Sequence, residues 1–421
     1  MRRLFISAIC IVMACEAFAA APLKDTINTN IRAYRDEVGF YQKANRDLGD
    51  PRFMFSDPEG KIDFGIGGTA KITTAGGFGG QSEAFSFRPS SISIPTVHAG
   101  MYNMSVGGTE VHFKARTYMG EHKMVAFIKL NGDFDKSVSL NQAYISLDNF
   151  SVGLIPSFFM DLEVGVMTTG LGFDSQVDMT HPLIGYTWRF KNGLSLAAAL
   201  EWPELNLDHY PQSLGVGTAY QPVPDFAGHL KYRFEKGHIQ FGAVARGMTY
   251  WVFNVPVIYE DQGEDRMAFG YGLSFSGNYN PTSRLKLSWE LSAGRGYAAY
   301  LNNLGDLHLD LGMLHEPLDG YVQMAGIPAT SDQIAAQYKW SEKFTSSVVL
   351  GYTHCKQEKT IYNADPFKSS FSAIANFFWN INDYSYFGVE YLFGNRRIYV
   401  QDGTPSFGLA HRLAVVMAYC F

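Results

Sequence analysis

The chain has 421 residues, 46% of them hydrophobic, 15% aromatic and 18% charged, with 42 glycines and a formal net charge of -6. A mean hydropathy of -0.08 is far too polar for a bundle of membrane helices, and no stretch after the first residues reaches the about 20 uninterrupted apolar residues a membrane helix needs. Such near-neutral averaging is what a strand barrel produces, because lipid-facing and water-facing side chains alternate; no nucleic-acid partner is expected.

Met1, Arg2 and Arg3 precede an apolar run from Leu4 to Ala14 and the small-residue site Ala17-Phe18-Ala19. Residues 1–19 therefore read as a secretory signal peptide cut after Ala19. A lipoprotein box at Val12-Met13-Ala14-Cys15 is the alternative, but Met13 suits it poorly. Cys10 and Cys15 leave with the signal, and Cys355 and Cys420 fall at opposite ends of the expected strands, too far apart for a disulfide. Neither a cofactor nor a metal centre is expected.

Residues 20–60 differ from the rest, with Ile27, Ile31, Tyr34, Val38 and Tyr41 spaced four, three, four, three. That spacing predicts a short periplasmic helix that self-associates as a coiled coil and then a linker; Gly39 inside the pattern keeps a loosely helical linker as the alternative.

From Lys61 the period becomes two, and residues 61–421 divide into sixteen strands. Tight connections such as Gly120-Glu121, Asp148-Asn149, Asn280-Pro281-Thr282 and Ile381-Asn382 occupy every second position, and the others are mostly long. The expected fold is all-β: a 16-stranded antiparallel transmembrane β-barrel with a short N-terminal periplasmic helix, both chain ends lying in the periplasm of a Gram-negative envelope.

The faces agree with that plan. Leu285, Leu287, Trp289 and Leu291 alternate with Lys286, Ser288, Glu290 and Ser292, giving one side for lipid and one for water. Trp188, Phe234, Trp340, Trp379 and Tyr419 collect at one set of strand ends and Trp202, Trp251, Tyr352 and Phe393 at the other, as two interfacial girdles. Outer-membrane lipid and lipopolysaccharide are the expected surroundings. The last strand carries Leu413, Val415, Met417, Tyr419 and Phe421 on one face, and this aromatic ending resembles the signal read by the barrel-assembly machinery.

Side chains opposite the lipid face should line a lumen. Its expected basic residues are Lys114, Arg116, Lys129, Arg189, Lys231, Arg233, Arg246, Arg284, Lys286, Lys339 and Arg412, set against Asp133, Glu201, Glu235, Glu290 and Glu390. A cationic wall in an acidic chain favours small anionic solutes. The connection from Pro156 to His181 holds Phe158, Phe159, Met160, Asp161, Asp174 and Asp178 and is the expected constriction loop, its acids facing the basic wall across the pore; a loop remaining outside is the alternative.

Within residues 140–204 the chain resembles the DcaP-like trimeric outer-membrane porins. The carriers are Leu140-Asn141-Gln142-Ala143-Tyr144, Phe150-Ser151-Val152-Gly153-Leu154, Phe158-Phe159-Met160-Asp161, Ile184-Gly185-Tyr186-Thr187-Trp188 and Glu201-Trp202-Pro203-Glu204. The resemblance implies a homotrimer and an anion-selective channel for passive diffusion of dicarboxylate-like solutes. Gly153-Leu154-Ile155-Pro156 departs from that family's polar Gly-Gln-Thr run.

The competing readings are an adhesin or structural barrel and a barrel hydrolase. His308, His315, Asp306 and Asp310 share residues 297–328, but no nucleophile motif accompanies them, so an enzyme is not expected.

Overall fold

A computed structural model describes residues 51–421 except 52, 57–60, 81–85, 98–99, 134–136, 173–174, 206–215, 254–262, 315–321, 357, 359–360, 363–365 and 401–404. The expected signal peptide and N-terminal helix thus lie outside the described residues. No helix among those described is long and apolar enough to cross a membrane.

Strand formation follows the period-two pattern. The wall consists of β1 (Ile62–Phe78), β2 (Glu110–Met119), β3 (His122–Gly132), β4 (Val138–Leu147), β5 (Phe150–Pro156), β6 (Thr180–Arg189), β7 (Leu194–Glu201) and β8 (Asp225–Phe234). It continues with β9 (Gly237–Val252), β10 (Glu264–Thr282), β11 (Leu285–Arg295), β12 (Pro328–Lys339), β13 (Phe344–Cys355), β14 (Phe367–Asn382), β15 (Ser385–Ile398) and β16 (Phe407–Cys420). Each pairs antiparallel with the next, and β16 pairs with β1 from Thr69 opposite Cys420 to Phe78 opposite His411, which closes the barrel. Beyond Cys420, the Phe421 N–H donates to the Gly68 carbonyl and the Gly68 N–H to Phe421, both at 2.8 Å.

Two of the tight connections are displaced from their expected positions. The Asn280-Pro281-Thr282 turn lies at Ser283 and Arg284 instead: Arg284 N and Leu285 N donate to Thr282 Oγ1 at 3.3 and 3.2 Å, while a register shift between Tyr279 and Thr282 absorbs the proline. Likewise Asn382 closes its hairpin through Oδ1, which accepts from Tyr384 N at 2.8 Å, so the turn is Asp383-Tyr384.

Short strands supplement the wall. Phe53–Ser56, in the segment expected as linker, pairs with β1, as does Met101–Ser105. Leu311–Leu314, Met324–Gly326 and Ile361–Tyr362 form a small separate sheet.

Large apolar side chains such as Phe241, Leu273, Ile334, Val348 and Met417 are exposed on the outer surface. Buried clusters lie inside, where the connections after β1, β5 and β11 fold inward. Phe87, Ile92 and Leu171 pack on Ala335, Val349, Ile374 and Leu392 of the wall, and Phe159, Val177, Tyr297 and Tyr300 pack on Ala227, Val244 and Ala329.

Candidate functional site: the lumen and its inward loop

Residues 157–179, between β5 and β6, run along the inner wall. Three buried glutamates hold their main chain: Glu201 on β7 accepts from Phe158 N at 2.7 Å, Glu290 on β11 from Val177 N at 3.0 Å, and Glu390 on β15 from Thr169 N at 3.0 Å. These strands are four apart in a barrel of sixteen, so the anchors recur about every quarter turn. Further hydrogen bonds reach the loop between them. Gln240 Nε2 donates to the Met160 carbonyl at 3.0 Å, Met167 N to Gln337 Oε1 at 2.9 Å, and Lys286 Nζ to the Glu163 and Gly165 carbonyls at 2.8 Å. A main-chain N–H buried away from water must find an acceptor, and here a glutamate side-chain oxygen provides it.

The loop's acids meet the basic wall directly instead of facing it across an open pore. Asp161 accepts from Lys231 Nζ at 3.0 Å, His238 Nε2 at 2.7 Å and Ser276 Oγ at 2.8 Å. Glu163 pairs with Lys231 at 2.9 Å and with Arg233. Burial alone would raise the pKa of both acids. For Asp161 the His238 hydrogen bond and nearby Lys231 outweigh burial and hold the carboxyl well below the usual range. For Glu163, Lys231 and Arg233 outweigh it and bring the value to about 2. Asp178 is exposed, and its N–H donates to the Tyr300 carbonyl at 3.1 Å; Asp174 lies outside the described residues. Phe158 stacks obliquely near His229, with ring centroids 6.3 Å apart, and Phe159 is fully buried against Tyr297 and Tyr300.

The remaining basic residues separate into structural and open groups. Arg246 is wholly enclosed, with Nε 2.7 Å from Asp225 and Nη1 2.7 Å from Asp310, so it lines no path. Arg412 donates to the Ser86 carbonyl at 2.7 Å and lies over the Phe87 ring. Arg189 hydrogen-bonds Asn149 at the tight-turn end. Arg284 occupies an exposed turn outside the strands, a correction that follows from the displaced hairpin; Lys339 is exposed at the same end.

Lys114, Arg116 and Lys129 remain on β2 and β3, away from the loop's anchors. Arg116 pairs with Asp63 at 2.7 Å and Lys129 with Glu110 at 2.6 Å. Lys71 on β1, absent from the expected set, joins them. A Cβ added at Gly170, on the loop with φ +72, or at Gly108 would sit 3.0 Å from Lys71 Nζ. Lys71 therefore faces the loop at close range. Its place between Ala70 and Ile72 carried the signal, but the glycines and threonines around it hide which face of β1 is polar.

A second polar network joins the root of the loop to the inward connection after β11. Glu201 accepts from Ser157 Oγ at 2.8 Å and His181 Nε2 at 2.7 Å, and Tyr300 OH lies 3.3 Å from Glu201 and 3.0 Å from Asp225. His315 lies outside the described residues, while Asp310 pairs with Arg246 and Asp306 with Arg88, so the expected loop cluster is divided among structural contacts.

No protein-family model matches the sequence, and no curated protein resembles it significantly. Solved structures do match. The outer membrane channel DcaP of Acinetobacter baumannii superposes with a TM-score of 0.71 over 87% of this chain and 99% of its own, at 15% identity. An anion-selective porin from Comamonas acidovorans gives 0.54 over 86% of this chain and 100% of its own, at 10% identity. OmpT, an outer membrane protein of Vibrio cholerae, in its trimer form gives 0.51 with the same coverage and identity. The resemblance seen in residues 140–204 therefore extends, as a fold, over most of the described chain: this is a closed sixteen-stranded barrel of the porin fold, DcaP-like in its course.

Proposed function

We propose that the protein is an outer-membrane porin for passive diffusion of small hydrophilic solutes, with a preference for anions. The observation carrying this reading is the loop 157–179 held inside a closed barrel, beside a wall that carries Lys71, Lys114, Arg116 and Lys129, of which Arg116 pairs with Asp63 and Lys129 with Glu110. A net positive wall beside low-dielectric walls lowers the cost of transferring an anion from water. Tight turns and both chain ends on the periplasmic side, long connections outside and a homotrimer complete the reading. The likeness to OmpT, solved in a trimer form, supports that assembly, and dicarboxylate-like solutes, which the family resemblance implies, are the preferred cargo. Lys231 and Arg233 belong to the loop's mounting rather than to the solute path, and no enzymatic role is assigned.

Planar-bilayer recording of the purified protein in a salt gradient tests this. Large conductance steps in groups of three, with a reversal potential on the anion side, are expected. Absence of conductance would remove the channel reading, and cation preference would remove the assignment of the β1–β3 wall while leaving the barrel.

A further inference from the structure

The mounting of the loop contains two acceptors that face each other with no donor between them. His238, at the tight-turn end of β9, is buried, and its Nε2 lies 2.7 Å from Asp161 Oδ2. An ionised carboxylate only accepts, so Nε2 carries the proton and the neutral ring turns the lone pair of Nδ1 the other way. Glu163 Oε2 stands 3.8 Å from that Nδ1, too far for a hydrogen bond. Asp161, Glu163 and His238 each bring one ligand atom within 4.8 Å of the other two.

The surroundings already draw positive charge to this place. Lys231 Nζ reaches Asp161 Oδ1 at 3.0 Å and Glu163 Oε1 at 2.9 Å, which leaves Glu163 Oε2 to Arg233 Nη1 at 2.8 Å. The Arg233 side chain is 58% exposed and that of Glu163 34%, so this last contact gives way to water readily and opens Oε2 to the tight-turn mouth. Two ligands on a tetrahedral zinc ion stand about 3.4 Å apart, and a small shift of the partly exposed Glu163 closes the difference. Behind the ring the arrangement is also that of a metal centre. A metal-bound imidazole almost always donates its other N–H to a carboxylate, carbonyl or water, and Asp161, steadied by Ser276 Oγ at 2.8 Å, occupies that position. A donor set containing imidazole suits zinc and its first-row neighbours, whereas magnesium and calcium take oxygen alone.

We propose that the loop's mounting is a binding site for a zinc-class divalent ion, with His238 Nδ1 and Glu163 Oε2 as protein ligands, water completing the shell, and Asp161 as the positioning residue that orients the ring. The bound ion joins residues 157–179 to β9 through a bond that Arg233, in water, does not supply. The proposal rests on the porin reading only in placing this mouth in the periplasm.

The test is equilibrium dialysis of the full chain in detergent at neutral pH, without an affinity tag, against zinc and against calcium, the bound metal being counted by atomic absorption. One tightly held zinc per chain and no calcium are expected. Asp161→Asn should weaken zinc about 10–100-fold through loss of the orienting acid, and His238→Gln should weaken it further. His122→Asn removes an exposed imidazole that lies 2.7 Å from Asp148 on the tight-turn rim and should leave the binding as it is. Should the Asp161 and His238 variants not fold, Arg233→Ser keeps the question open to measurement: with the competitor for Oε2 gone, zinc should bind several-fold more tightly. Calcium held as well as zinc, zinc retained by His238→Gln, zinc lost in His122→Asn, or no gain in Arg233→Ser would each overturn the site. A chain that conducts but takes up no zinc defeats this proposal alone; one that binds zinc without conducting leaves the site standing and removes the porin reading.

Discussion

Arg246 shows how misleading a side chain's sign can be when its burial is unknown. Its place on the water-facing side of β9 suggested a pore lining, yet it is sealed between Asp225 and Asp310. Arg246→Ala would leave both carboxylates buried without their cation, and we expect it to destabilise the barrel by about 3–5 kcal/mol in urea unfolding, with little change in ion selectivity in any protein that folds. The opposite outcome is expected of Lys71→Ser and of the Lys114→Ser, Arg116→Ser pair, which should move the reversal potential towards cations and leave the unfolding midpoint nearly unchanged; an unmoved potential would mean these groups do not border the solute path. Glu163 gives a dependence on acidity. Its carboxyl is depressed from 4.5 to about 2 by Lys231 and Arg233 against the effect of burial, so its holding contribution is complete above 4.5 and disappears as pH falls through 2. Current noise should therefore be flat from neutrality to pH 4.5 and rise towards pH 2. Which faces hold charge was legible from alternation alone, as with Lys114 and Lys286. Which charges neutralise one another was not, because pairs such as Lys231 with Asp161 are 70 residues apart in sequence and depend on where a loop folds.

At the scale of elements, the wall was readable to within about four residues at each strand end, and of the loops the inward course of the connection after β5 was expected but not what holds it. Period-two alternation is local, so β4 is Val138–Leu147 as the pattern predicts, whereas the turn after β10 moved because a threonine hydroxyl two residues on closes a tighter hairpin than the proline does. The inward course of residues 157–179 depends on Glu201, Glu290 and Glu390, each on a strand far from it in sequence. An intramolecular hydrogen bond contributes about 0.5–1.5 kcal/mol net and more where a buried N–H is left unmet, so replacing any one of the three by Ala should loosen one arc of the loop and replacing all three should release it. The expected readout is a larger, noisier single-channel conductance for the triple variant. Conductance identical to wild type would show that apolar packing of Phe159, Val177 and Leu171 suffices to hold the loop.

For the whole molecule, closure is the governing event. The β1–β16 seam ends where Gly68 meets Phe421: a Cβ there would come within 2.4 Å of the Glu110 carbonyl oxygen and 2.8 Å of the Phe421 ring. Gly68→Val should therefore hinder sealing, and the fraction of heat-modifiable barrel on electrophoresis should fall sharply; full recovery would show that the seam tolerates strain. The inward connections are also tied to one another. Phe87 bridges to Gly172 and Val177 to Leu301, while Ser90 Oγ donates to the Asn303 carbonyl at 2.5 Å, so the loop 157–179 is braced on both flanks by segments rooted at β1 and at β11. A diaphragm held at so many points along its described residues gives an electric field little to swing. The current it passes should accordingly be ohmic, rising in proportion to voltage with neither rectification nor closure until the barrel itself fails.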